Sequence, residues 1–135
     1  FQLLDAALMG KASRCLKITD SMRIEGTEVL YLSTMLAREV RNLIGMSEAM
    51  QSSSVDAAMQ QARVWQKRQP LIAATLKRHG LPALLQLQSR VNRIDAIVKG
   101  VQAGDPWDEL TSAILHLAGV ALSLPDASKP GASLL

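Results

Sequence analysis

Apolar residues recur along this chain three and four positions apart, the interval that gathers side chains on one face of a helix. Leu32, Met35, Leu36, Leu43, Met46 and Met50 share one stripe at about 100° per residue. Leu84, Leu87, Val91, Ile94, Val98 and Val101 form a second stripe, from which Arg90 and Arg93 are expected to point away. Leu110, Ile114, Leu117, Ala121 and Leu124 form a third, which Leu115, Ala118 and Leu122 extend well round the cylinder. Ser112, His116, Gly119 and Ser123 are left as a narrow polar or small strip. A helix apolar on nearly all sides is covered on nearly all sides. Two coverings are open here: the neighbouring helices of the same chain, or a second chain lying against the small residues.

Gly and Pro predict where the helices begin and end. A short first helix stops at Gly10, and a second covers roughly 11–25 and stops at Gly26. Thr27 is the expected N-cap of a long third helix that fades at Gln51. Ser54 caps a fourth, near 55–65. Pro70 opens a fifth, with Gly80 as its left-handed stop, and Pro82 opens a sixth that ends near Gly100. Asp105, Pro106 and Asp108 read as a cap, a first-turn proline and an acidic third residue for a seventh helix reaching Leu124. The expected organisation is one helical domain over 1–125 and a mobile tail over 126–135.

Length and composition agree with an all-α, bundle-like domain of six or seven helices. The chain has 135 residues, of which 48% are apolar and 20% charged, a balance that excludes a disordered chain. Leu and Ala dominate and aromatic residues make up only 3%, which disfavours sandwiches and barrels. Cys15 is the single cysteine, so no internal disulfide can form, and its helical neighbours suggest a buried, unreactive thiol in a reducing compartment. One cysteine and the separated His79 and His116 make no zinc site. The run 113–124 is too short to span a bilayer, and with Phe1 rather than Met at the start the chain is expected to be a piece of a longer protein.

The charge is unevenly distributed. Residues 57–100 hold eight basic residues against Asp95 alone, whereas the segments on either side are net acidic. Arg63, Lys67, Arg68, Lys77, Arg78, Arg90 and Arg93 are therefore candidates for phosphate or for an acidic protein partner. Trp65, inside the run 63–68, is expected to be a core anchor, with a stacking platform for a base as the alternative. Lys77, Arg78 and His79 also suit the carboxyl end of a helix, where cations meet the dipole. Glu39 falls within the third helix's apolar stripe, which calls for an ion pair with an Arg from another helix or a position at the rim. Trp107 is expected to anchor the start of the last helix. No phosphate-binding loop, nucleophile elbow or paired-histidine motif is present, so no catalytic residue, cofactor or metal is expected.

Laid out in order, the words LLDAALMGKASRCLKI (3–18), the Glu25-Gly26 turn, LAREVRNL (36–43), RVWQKRQP (63–70), RIDAIVKG (93–100) and WDEL from Trp107 resemble the C-terminal collar domain of bacterial clamp-loader delta subunits of DNA polymerase III. The resemblance spans about residues 1–125. It implies a helical assembly domain that joins gamma or tau and delta-prime in a heteropentameric ring. It implies contact with the sliding clamp only through an N-terminal region that this sequence lacks, and with DNA only within the complex. It also implies a cytoplasmic, nucleoid-associated replisome protein with no membrane contact and no catalysis of its own. Leu115, Ala118 and Leu122 are the expected partner face, with Arg63, Lys67 and Arg68 steering assembly. The competing expectation is a stand-alone helical domain that binds nucleic acid through 63–93; a helical adaptor for some other assembly is a third.

Overall fold

A computed structural model describes residues 2–120, and every regular element among them is helical, as the periodicity predicts. The order is α1 (Gln2–Leu8), α2 (Ala12–Ile24), α3 (Val29–Ala49), α4 (Val55–Gln61), a 3-10 turn at Gln66–Arg68, α5 (Gln69–Arg78), α6 (Leu81–Val98) and α7 (Pro106–Leu117). Two of the expected caps form. The Ser54 side chain accepts the Ala57 amide at 3.0 Å, and Asp105 Oδ1 accepts the amides of Trp107 at 2.9 Å and Asp108 at 3.4 Å.

Several boundaries differ from the sequence expectation, each for a local reason. Thr27 does not cap α3: its amide returns to the Met22 carbonyl at 2.9 Å and closes α2, and Glu28, one residue later, takes the N-cap position without a side-chain bond. The fourth helix ends at Gln61, short of Trp65. Arg63 adopts φ 58°, and the amides of Arg63 and Val64 return to Gln60 and Met59 at 3.0 Å. That left-handed stop is the kind glycine usually makes. Gly80 is not left-handed: at φ −75° it is the N-cap of α6, because only His79 and Gly80 lie between the two helices. The apolar run predicts a helix to Leu124, but α7 stops at Leu117. Gly119 turns the chain at φ 99°, its amide bonds His116 and the Val120 amide bonds Leu115, both at 3.0 Å. Leu122 and the proposed tail lie outside the described residues.

The core is layered around α6, which packs against α3 on one side and α7 on the other. Leu36, Val40 and Leu43 of α3 meet Leu84, Leu87 and Ile94 of α6 within one apolar cluster, all fully enclosed. Leu110, Ala113, Ile114 and Leu117 join it from α7. The most enclosed element is α1 rather than α7. Leu3, Leu4, Ala6, Ala7 and Leu8 are all buried, because α2, α5 and α7 surround this short helix. The second stripe leaves the core at its end: Val98 and Val101 are exposed, and Ile97 is buried in their place under the loop at Gly104. Cys15 is buried, and desolvation pushes its thiol pKa upward.

The carboxyl ends of α1 and α7 meet at the end of α5. The Arg78 guanidinium donates to the carbonyls of Leu117 at 3.2 Å and Leu8 at 3.4 Å. Thr75 Oγ1 donates to Leu8 at 3.2 Å. His79 Nε2 lies 2.8 Å from the Leu117 carbonyl, which can only accept, so the ring proton sits on Nε2. The cations of this segment thus serve the ends of two other helices, and His79 is buried rather than a solvated helix-end charge. A side chain at Gly119 would place its Cβ 2.8 Å from Arg78 Cδ, so glycine there is required by space as well as by φ.

Candidate interaction site

The 3-10 turn after α4 brings Arg68 against two other helices. Its Nη1 donates to Asp5 of α1 at 2.8 Å and its Nη2 to Glu39 of α3 at 3.2 Å. Glu39 is the most shielded of the three, with 15% of its side chain exposed. Of the two readings of Glu39, the geometry selects the ion pair with an Arg from another element. Arg68 is consequently committed inside the chain, and the sequence alone gave no reason to separate it from Arg63 and Lys67.

Arg63 and Lys67 remain exposed, and Trp65 stands between them with 77% of its surface open. Trp65 is therefore not a core anchor. The left-handed turn at Arg63 ends α4 early; Val64 then packs against the core while Trp65 is left exposed. Beside the indole lies a shallow hollow of about 180 Å³, walled by Met46, Ile72, Glu39 and Arg68. Trp107, by contrast, is half-buried against the apolar cluster at the start of α7. Leu115 is half-buried against the same cluster, and Ala118 belongs to the cluster itself, so neither forms an open apolar surface.

The seven basic candidates do not form one face. Arg68 is paired with carboxylates, Arg78 holds helix-end carbonyls, and Arg93 Nε lies 3.4 Å from Glu109 on α7. Arg90, expected to point outward, is only 5% exposed. Its position three after Leu87 and four before Ile94 places it on the buried ladder, a signal present in the sequence. It lines a cleft between α6 and α7 together with His116. The His116 imidazole titrates below its ordinary value, chiefly because burial disfavours its charge, with Arg90 and then His79 adding repulsion. The rings of His79 and His116 meet edge-on, their centroids 5.9 Å apart.

Among the described residues, no three His, Cys, Asp or Glu side chains are grouped to hold a metal, and no helix is long and apolar enough to cross a membrane. Among the described residues the fold presents an all-helical module with an exposed tryptophan corner and a cleft between α6 and α7 that holds Arg90. The chain belongs to the family of the processivity clamp loader gamma complex DNA polymerase III C-terminal domain, which matches residues 1–126. It is 31% identical to DNA polymerase III subunit delta of Escherichia coli (strain K12), covering 87% of this chain and 34% of that protein. It is 24% identical to the corresponding delta subunit of Haemophilus influenzae, covering 82% of this chain and 35% of that protein. The chain thus spans about a third of the length of these relatives.

Proposed function

We propose that this chain is the assembly domain of a delta-type clamp-loader subunit. It holds that subunit in a ring with gamma or tau and delta-prime, so that the complete protein can open a sliding clamp for replication. It performs no catalysis of its own and works in the cytoplasm. The observation that carries this reading is the family match along residues 1–126. Arg90 is buried, and Arg68 and Arg78 are tied to acceptors within the chain, which weighs against a stand-alone nucleic-acid binder. Affinity for a phosphate backbone comes from a run of exposed cations.

Partner contact centres on the Trp65 corner. An exposed indole flanked by Arg63 and Lys67 has the composition of an interface hot spot. The two cations steer an acidic partner and contribute about 0–1 kcal/mol for each exposed pair. Leu115 and Ala118 lie just beneath a second approach, at the end of α7. The test is co-expression with gamma or tau and delta-prime, followed by size-exclusion chromatography. A stoichiometric complex that survives moderate salt supports the proposal. Absence of that complex, together with DNA binding that collapses as salt rises, refutes it in favour of a nucleic-acid-binding domain.

A further inference from the structure

The Arg90 guanidinium is carried into the α6–α7 cleft by the same helical ladder that buries Leu87 and Ile94. Its Nε and Nη1 are enclosed and meet no hydrogen-bond acceptor among the described residues. His116 Nδ1, lining the same cleft, is also enclosed and has no hydrogen-bond partner among the described residues. An enclosed guanidinium with unused N–H groups is strongly unfavourable until an anion completes it. The cleft's other cation is already matched. Arg93 faces Glu109 at 3.4 Å, and the Gln102 amide oxygen, turned towards it, accepts from its Nε and Nη1 at 3.3 Å. Gln86, Ser89 and Asn92 complete the lining with neutral hydrogen-bonding groups, around a space of about 740 Å³ open to solvent.

We propose that this cleft receives one carboxylate side chain from an acidic segment of a neighbouring clamp-loader subunit, closing a shielded pair with Arg90 across the interface. The inference rests on the assembly reading above and adds the chemistry of the partner. A carboxylate fits better than a nucleic-acid backbone for two reasons. Its two oxygens match the planar fork of a guanidinium. A backbone, in turn, is held by successive cations along a groove, whereas this cleft has a single uncommitted guanidinium, neutral neighbours and the Glu109 carboxylate facing Arg93. His116 Nδ1 offers a second hydrogen-bonding position to the same carboxylate.

Two variants test it, each measured for melting and for affinity towards gamma or tau and delta-prime. Arg90→Met removes the unpaired charge and keeps the bulk. It should leave the melting temperature unchanged or raised, and weaken assembly by about tenfold or more. Gln86→Glu places a carboxylate four residues ahead of Arg90, the favourable helical orientation. It should stay folded, occupy Arg90 from within the chain and weaken assembly as well. Normal assembly by either folded variant overturns the proposal, and if Arg90→Met unfolds, Gln86→Glu decides alone. A single-stranded oligonucleotide serves as the phosphate probe. Loss of its binding in Arg90→Met, with assembly intact, assigns the cleft to phosphate and overturns the carboxylate. If the wild-type chain forms no complex, the assembly reading fails and this proposal fails with it. If only the variants behave as wild type, this proposal alone fails.

Discussion

Replacing Arg68 with Met separates a structural cation from a partner-steering one. In the fold, Arg68 ties the turn before α5 to Asp5 of α1 at 2.8 Å and to Glu39 of α3 at 3.2 Å. Met keeps much of the stem's packing but removes both bonds. Bare Coulomb attraction at 3.2 Å is about 5 kcal/mol at an effective dielectric of 20, most of it offset by desolvation and lost side-chain freedom. Arg68 and Asp5 are about one-third exposed, at 36% and 35%, so their bond lies near the surface range of about 0–1 kcal/mol. Glu39, at 15%, is shielded and contributes more once it loses its donor. The expected destabilisation is about 1–2 kcal/mol, or a fall of about 3–8 °C in melting temperature for a domain of this size. Thermal and urea unfolding of Arg68→Met, Glu39→Gln and the double variant measure it. The cycle should give a coupling of about 0.5–1.5 kcal/mol between the two residues. A single variant that melts like the parent but assembles poorly would refute the argument and return Arg68 to the interface.

The two tryptophans should part company. Trp107→Ala should cost about 2–4 kcal/mol by emptying a half-buried site, whereas Trp65→Ala should leave the melting temperature within about 1 °C and weaken partner binding; equal melting losses would contradict the fold. Cys15 should resist a thiol reagent in the native protein and react fully in denaturant, because the side chain is buried and its thiolate disfavoured; fast native labelling would place it at the surface. His116 is held below its ordinary value in the folded state, so the unfolded chain binds its proton more readily. The stabilising contribution is then complete above the unfolded value of about 6.5 and is lost as pH falls below it. Melting between pH 7.5 and 5.5 should fall less steeply for His116→Gln than for the parent, and parallel curves would refute this.

Much of the fold was legible because helices are written locally. The three stripes placed Leu36, Leu43, Leu84, Leu87, Ile94, Leu110 and Ile114 in the core, and Ser54 and Asp105 announced their caps. Family membership was legible for a similar reason, since short helical words in fixed order survive where single chemical motifs are absent. The carboxylate in the α3 stripe also announced a need for a cation, though not which one.

Tertiary structure decided what depends on residues far apart in the chain. Nothing near Arg68 in the sequence indicates Asp5 and Glu39, which lie 63 and 29 positions away. Arg78 and His79 looked like cations for their own helix until the ends of α1 and α7 were brought to them. Trp65 was freed by a left-handed turn at a non-glycine residue, which local propensity disfavours. Arg90 and His116 belong to different helices, and only the packing of α6 on α7 places them in one cleft. Periodicity fixes which face of a helix is apolar, because that follows from the backbone's own repeat. Which charges are spent inside the chain and which are left for a partner depends on how those faces meet, and only the assembled helices determine it.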